Sequence, residues 1–149
     1  MPEGKRVSIA TNPTDVSRIS RFIHDKEFEL NKHFSYDSAT KRFEICFARE
    51  GIEEAKLVRK VLFFKIVQFP IFKSQLIIHR VIRYDIRDGA RIGRYSFNEI
   101  DCDEGKNEVV VYCHEDLDIR VSVESIQVEV LDVGVSGNRF LWLLPGTKL

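Results

Sequence analysis

Residues 117–130 read LDIRVSVESIQVEV, and this stretch decides the fold class. Apolar residues alternate with polar ones, on odd positions over 117–123 and on even positions over 126–130. Alternation with a period of two is typical of a strand with one buried face. The parity changes at Glu124 and Ser125, which predicts a β-bulge or a bend where the strand changes sheet.

The region before this stretch alternates as well. Tyr95 and Phe97 are separated by polar residues, and an apolar run follows over residues 109–112. Turns rich in Gly, Asn and Asp are predicted over residues 103–107 and near residues 114–116. Short strands separated by such turns are typical of antiparallel sheets.

Alternation is also found near both ends of the chain. Residues 28–36 alternate, residues 37–41 (DSATK) form a turn, and residues 43–47 alternate back. This pattern predicts a β-hairpin. A last short strand is predicted over residues 140–144, before Pro145 and Gly146.

Two segments are apolar on both parities, over residues 57–67 and 76–82. Such runs are typical of central strands covered on two faces, the first being bent or ended at Pro70. The second also fits an amphipathic helix, so residues 74–88 have two interpretations. Their richness in β-branched residues favours a strand.

One amphipathic helix is predicted over residues 15–25, capped by Thr14 or Asn12. Its apolar residues fall on one face at three- and four-residue spacing. The sequence therefore predicts an α+β fold, mainly antiparallel β, with this N-terminal helix and a sandwich or open barrel of about seven to eight strands. A single domain is expected over residues 1–149, with residues 1–13 as a flexible N-terminal segment.

The formal net charge is zero, but the charges are segregated along the chain. Residues 56–94 contain ten Lys or Arg and two Asp, a net charge of +8. Residues 95–135 contain eleven Asp or Glu and two basic residues, a net charge of −9. We call these the basic block and the acidic block. If they form neighbouring antiparallel strands, opposite charges neutralise each other, which is the favoured interpretation. Otherwise one block presents a single-signed face to a partner.

The leading functional hypothesis is a non-enzymatic intracellular domain that binds a basic protein partner through an acidic patch. The layout, with one leading helix, alternating strands and an acidic last third, is similar to that of toxin-neutralising immunity proteins, although no motif carries the resemblance. The predicted patch consists of Glu99, Asp101, Asp103, Glu104, Glu115, Asp116 and Asp118.

Two alternatives remain open. The first is an anion-binding or nucleic-acid-binding module that uses the basic block, in which aromatic residues interleave with cations. The second is a small hydrolase-type enzyme without a recognisable motif, in which His79 or His114 meets a carboxylate. The arginines of the first alternative are Arg80, Arg83, Arg87, Arg91 and Arg94.

Motifs for catalysis, cofactors and metals are not found, so no catalytic residue, cofactor or metal site is predicted. The dipeptide His24-Asp25 matches one used by metal phosphohydrolases, but the further ligands that they need are not evident, and a charged helix end is predicted instead. The carboxylates of residues 101–108 do not have the spacing of a calcium loop, which leaves a solvated hairpin turn.

The compartment is predicted from the cysteines and from the N-terminal sequence. Cys46, Cys102 and Cys113 cannot all pair internally, which is typical of a reducing compartment. The N-terminal residues contain no apolar leader. The longest apolar stretch, residues 61–78, is interrupted by polar residues and by Pro70, so no membrane span is predicted. A cytoplasmic location is therefore expected.

Overall fold

The structure is a computed structural model, and it describes residues 4–146. The fold is α+β and mainly antiparallel, as the alternation predicts. Within the described residues the strands form two sheets. In sheet 1 the order is β1 (Lys5–Ala10), β11 (Val128–Leu143), β6 (Phe64–Ile78), β4 (Arg42–Glu50) and β3 (Phe34–Asp37), and β5 (Lys56–Val61) also pairs with β6. In sheet 2 the order is β2 (Glu27–Glu29), β8 (Arg94–Asp103), β9 (Glu108–Cys113), β10 (Leu117–Val123) and β7 (Val81–Asp88).

The core lies where the inward faces of the two sheets meet helix α1 (Pro13–Ile23). Asn12 caps the helix, and its side chain accepts a hydrogen bond from the Asp15 N–H at 2.9 Å. The helix packs beside β8, where the Ser20 hydroxyl accepts a hydrogen bond from the Ile100 N–H at 2.8 Å. The predicted helix is therefore confirmed, two residues earlier than expected. Fully buried residues of the core include Ile19, Ile23, Phe28, Phe43, Ile45, Leu76, Tyr95, Phe97, Leu117 and Ile119.

The predicted change of sheet after residue 123 is confirmed. β10 ends at Val123 in sheet 2, and β11 begins at Val128 in sheet 1. The two alternating runs therefore each turn their apolar residues into the same core, although they belong to different sheets. The strand interpretation of residues 74–88 is also confirmed, because these residues lie in β6 and β7.

Several sequence predictions are wrong in detail. Residues 28–36 are not one strand, because β2 pairs with β8 in sheet 2 and the short helix α2 (Leu30–His33) carries the chain to β3 in sheet 1. Residues 5–10 form β1, paired with β11, where a flexible segment was expected. The described part of the chain contains eleven strands, where seven or eight were expected.

The strand was expected to bend or to end at Pro70, and of these two alternatives the end is wrong, because β6 continues through Pro70. The Pro70 carbonyl accepts a hydrogen bond from the Gly51 N–H at 2.8 Å, just where β4 ends at Glu50. The next ladder on this side begins at Lys56, opposite Gln68. Since N and O of one residue point to the same side of a strand, the missing N–H of proline falls in the gap between β4 and β5.

β11 is a continuous strand of 16 residues, so the predicted strand at 140–144 is only its end. Two bulges interrupt its pairing with β6, one after Asp132 and one after Val135. Beyond them, residues 138–143 of β11 pair with residues 65–70 of β6, which also pair with β5. We call these three segments the arm.

Neither helix α1 nor any other helix of residues 4–146 has the length and apolar composition of a membrane span.

Candidate functional site

The outward face of sheet 2 positions the first three predicted acidic residues. Ile100 and Cys102 of β8 point toward the core, so the alternating Glu99, Asp101 and Asp103 point away from it, and all three are exposed. The turn that follows, over residues 104–107, is exposed as expected. We call Glu99, Asp101, Asp103 and Glu104 the acidic row.

The acidic row continues onto the neighbouring strands. Glu99 is paired with Tyr112 of β9, and Tyr112 is paired with Asp118 of β10, so Asp118 lies on the same outward face. Arg120 of β10 also lies on this face, and it bonds Glu108 at 3.1 Å. Among residues 4–146, no residue of the acidic row takes part in an ion pair. Asp101 and Asp103 accept backbone hydrogen bonds from the Cys102 N–H at 3.0 Å and the Lys106 N–H at 3.2 Å, so within the described fold the row contacts backbone dipoles but no cation.

Glu115 and Asp116 lie elsewhere, in the loop between β9 and β10. The Glu115 carboxylate accepts hydrogen bonds from the Ser96 N–H at 2.7 Å and from the Ser96 hydroxyl. Burial raises the pKa of Glu115, but these hydrogen bonds outweigh it and hold the pKa below its ordinary value. The Asp116 carbonyl accepts from the N–H groups of Gly89 and Ala90. These two residues therefore stabilise a loop and lie apart from the acidic row.

The five predicted arginines do not converge on one groove. Arg83 and Arg87 lie exposed on the same face of β7, whereas Arg80 in the preceding turn donates to the Ser125 hydroxyl at 3.0 Å. Arg94 contacts Glu27 and Glu29 of β2. Arg91 is exposed in the loop before β8.

Mutual neutralisation of the two charge blocks was the favoured interpretation, and the described residues support it in strand pairing but not in direct ion pairs. Although Arg87 is paired in register with Asp118, its ion pair is with Asp85 of its own strand. No Lys or Arg of the basic block lies within 4.0 Å of a carboxylate of the acidic block in residues 4–146. The pairing register brings the blocks together, but the side chains stay solvated.

The arm carries cations and aromatic rings on one face. The pairing register places residues of β5, β6 and β11 side by side in two rows across the arm. The first row is Lys56, Gln68 and Phe140, and the second is Arg59, Ile66 and Trp142. Phe140 and Trp142 are each 57% exposed. The sequence interpretation named aromatic residues of the basic block but missed these two, because they lie some eighty residues away on β11.

Both histidines named for the enzyme alternative contact a carboxylate. His79 Nε2 is 2.9 Å from Glu129 Oε1, and Arg6 bonds the other oxygen of Glu129 at 2.6 Å. Burial raises the pKa of Glu129, but these two partners outweigh it and hold the pKa low. His114 Nε2 is 2.6 Å from Asp25 Oδ1.

In the described part of the chain, no histidine has the nucleophilic side chain beside it that nucleophilic catalysis requires. Each histidine ring there bonds a carboxylate or a backbone group, and none bonds a Ser, Thr or Cys side chain. Burial, aided by nearby Glu115 and Asp118, raises the pKa of the Cys113 thiol to about 12. Burial and neighbouring carboxylates also raise the pKa of Cys102. These thiols stay protonated at neutral pH, which makes them poor nucleophiles.

The structure also assembles a cluster that sequence reasoning missed. His24 and Asp25 were assigned to a charged helix end, but His114 joins them from a position 89 residues after Asp25. His24 Nε2 is 3.3 Å from Asp25 Oδ1, and the His24 and His114 rings meet edge to face with centroids 5.0 Å apart. The dipeptide was the one available signal, and the third residue was invisible without the fold.

No family model, curated protein or solved structure matches this chain. The comparisons therefore give no support to the immunity-protein layout. Function has to be argued from the surfaces and clusters of the chain itself.

Proposed function

We propose that this protein is a non-enzymatic interaction domain that binds a basic protein partner through the acidic row. The observation that carries the proposal is the lack of any ion pair to Glu99, Asp101, Asp103 or Glu104 within residues 4–146. Three of the four carboxylates lie on one strand, so their geometry is set by the sheet rather than by a mobile loop.

The spacing between the carboxylates of the acidic row determines which kind of partner segment can contact them. Alternate residues of a strand are about 7 Å apart, so the carboxylates of β8 form a regular ladder of negative charge. Basic side chains at alternate positions of an extended segment have the same spacing. Exposed charges of this kind act mainly on the rate of encounter and on register, and their effect falls as salt screens them.

Asp118 and Tyr112 extend the contact surface beyond the row. Tyr112 is half-buried between Glu99 and Asp118 and offers a ring and a hydroxyl in the middle of the acidic face. Aromatic residues are enriched at the centre of protein interfaces. Glu115 and Asp116, which were predicted as part of the patch, are not included in this proposal.

The experiment compares two double variants that remove the same charge. Asp101→Asn with Asp103→Asn neutralises the row, whereas Glu27→Gln with Glu54→Gln neutralises two exposed carboxylates away from it. Each variant is immobilised and used to capture proteins from an extract of the source cell at low and at high salt. A synthetic peptide with lysines at alternate positions serves as a defined second probe.

We expect a protein that wild type and the Glu27/Glu54 variant retain at low salt and release at high salt. The Asp101/Asp103 variant should lose it, and should bind the lysine peptide at least about tenfold more weakly. Equal capture by both double variants, or capture indifferent to salt, would show that the acidic row is not the binding surface.

The aromatic and basic face of the arm supports a second candidate, single-stranded nucleic acid. Lys56 and Arg59 lie in rows with Phe140 and Trp142, and residues 55–69 and 133–146 contain no Asp or Glu. Cations that follow a phosphate backbone beside rings that stack on bases are the two elements of such sites. The arm thus replaces the five arginines as the favoured basic surface.

Trp142 is the single tryptophan of the chain and reports directly on the arm. Titration with a single-stranded oligonucleotide should quench its fluorescence, with an affinity that falls steeply with salt. Lys56→Gln with Arg59→Gln should abolish the quenching, and Arg83→Gln with Arg87→Gln should leave it unchanged. Loss in the second variant alone would restore the arginine hypothesis, and no quenching at low salt would remove both.

A further inference from the structure

We propose that His24, Asp25 and His114 form a binding site for a divalent transition-metal ion, with Zn²⁺ as the best-fitting ion. The site goes beyond the proposed interaction surface and shares no residue with it. Two imidazoles and one carboxylate are a ligand set that suits zinc, because its sites combine histidine nitrogen with carboxylate oxygen.

The distances in the cluster match the size of a metal site. Asp25 Oδ1 lies 2.6 Å from His114 Nε2 and 3.3 Å from His24 Nε2. All three ligand atoms lie within 4.8 Å of one another. Ligands bound tetrahedrally at about 2.0–2.2 Å from zinc are roughly 3.3 Å apart, so small side-chain rotations are sufficient.

The orientation of the His24 ring is fixed by a partner outside the cluster. His24 Nδ1 lies 2.8 Å from the backbone carbonyl oxygen of Asn98. Because a carbonyl only accepts hydrogen bonds, Nδ1 is the donor of this bond, and Nε2 is the ring nitrogen that remains beside Asp25 and His114 to bind a metal. A carbonyl that fixes the second ring nitrogen is the usual support of a metal-binding histidine.

The backbone explains how two adjacent residues act together. Asp25 has a φ of +66°, a left-handed conformation that ends helix α1 and turns the chain sharply. Its N–H donates to the Phe97 carbonyl at 2.8 Å, and the His114 N–H donates to the Ser96 carbonyl at 3.0 Å. Both sides of the cluster are therefore attached to adjacent residues of β8, which limits their relative movement.

The cluster is accessible and leaves room for a further ligand. The side chains of His24, Asp25 and His114 are 45%, 68% and 39% exposed. His24 also lines a groove of about 440 Å³ between helix α1 and β8. Three protein ligands with an open position are typical of zinc sites that also bind water or a small anionic ligand.

Cys113 does not join the set, although it precedes His114. Cys113 is buried at the end of β9, whereas His114, the residue after the strand, is exposed. The competing explanation of the cluster is an exposed ion pair between His114 and Asp25, which contributes little to stability. The two explanations differ in the role of His24. A metal site needs His24 as a ligand, whereas the ion pair between His114 and Asp25 does not involve it.

The test is titration of metal-free protein with Zn²⁺ by calorimetry, followed by Co²⁺ as a spectroscopic probe. We expect one ion per chain and a visible Co²⁺ absorption of tetrahedral type. His24→Ala, Asp25→Ala and His114→Ala should each weaken Zn²⁺ binding by at least about tenfold. His33→Ala removes a histidine outside the cluster and should leave the affinity unchanged.

Two further results make the outcome decisive. The Asp101→Asn, Asp103→Asn variant should bind Zn²⁺ like wild type, so failure of the interaction proposal and failure of the metal proposal are distinguishable. Circular dichroism establishes that each variant is folded, which is expected because all three ligands are exposed. No Zn²⁺ binding by wild type, or equal weakening by His33→Ala, would overturn the proposal.

Discussion

The two halves of β11 contrast sharply, although they form one strand. Residues 128–132 are almost entirely buried between β1 and β6, whereas every residue from 133 to 142 is exposed. Both halves contain β-branched residues suited to a sheet, and the outer half adds the aromatic Phe140 and Trp142. The difference shows that a strand-forming sequence predicts backbone conformation, and that burial depends on which elements cover each face.

Two ion pairs between β4 and β11 repeat this contrast at the level of side chains. Arg49 forms a bidentate pair with Asp132, at 2.9 Å and 2.5 Å, and the Ser74 hydroxyl donates to the same carboxylate. The next residue of β4, Glu50, contacts Arg139 in the exposed half. The Asp132 side chain is 7% exposed and that of Arg139 is 60% exposed.

The largest expected effect comes from breaking the buried pair. Asp132→Ala should lower the free energy of unfolding by up to about 3–5 kcal/mol, because the buried Arg49 guanidinium loses its bidentate partner and keeps only the more exposed Glu53, at 2.8 Å. Glu50→Ala breaks the exposed pair and should cost about 0–1 kcal/mol. Urea denaturation of both variants measures the difference, and similar losses would contradict the contrast between the halves.

Substitution of one buried and one exposed leucine tests whether apolar side chains show the same difference between the two halves. Leu76 on β6 is fully buried opposite Val130, and Leu141 on β11 is 39% exposed. Leu76→Ala should cost about 2–5 kcal/mol from lost burial and the cavity left behind. Leu141→Ala should cost less than about 1 kcal/mol, within the range of surface substitutions. A loss at Leu141 as large as that at Leu76 would mean that the arm belongs to the core.

Acid should weaken the inner half of β11 through Glu129. Its pKa is below the ordinary value of 4.5, so the folded state holds fewer protons than the unfolded state in this range. The stability that Glu129 contributes is therefore present above pH 4.5 and is lost as the pH falls through the lower folded value. Urea denaturation of wild type and Glu129→Gln checks this: the advantage of wild type at pH 7 should shrink below pH 4.5. A constant advantage across this range would contradict it.

The smallest effect on stability is expected at the end of the arm. Trp142 should be quenched readily by acrylamide in the folded protein, because the residue is 57% exposed. Phe140→Ser should change the free energy of unfolding by no more than about 0.5 kcal/mol. Protection of Trp142 in the free protein would instead indicate that another molecule or segment covers the arm.

The sequence predicted most of the fold because its signals are local. Alternation over residues 117–130, the turn at 103–107 and the capped helix each act over a few residues. The errors arose where pairing between strands that are distant in the sequence determines the structure. Residues 28–36 alternate like one strand, but Phe28 pairs with Tyr95 in the other sheet. Residues 5–10 are a strand only because β11 offers them an edge.

The candidate sites were less predictable, for the same reason. The acidic row was found because its residues are close in sequence and alternate on one strand. His114 was considered for an enzyme and His24 for a helix end, and no local pattern relates them. The pairing of β8 with β9, together with the turn at Asp25, brings them together.

The two bulges of β11 mark the places where the length of this strand can change. Each adds one unpaired residue to β11 against β6, Val133 in the first bulge and Ser136 in the second. Deleting Val133 or Ser136 alone would remove that bulge and leave every later pairing in place, so Phe140 and Trp142 would keep their face. Deleting a paired residue elsewhere in β11 would instead shift the register and turn the side chains beyond it to the opposite face. Homologous chains that share this arm should therefore differ in length at these two bulges rather than at the paired positions.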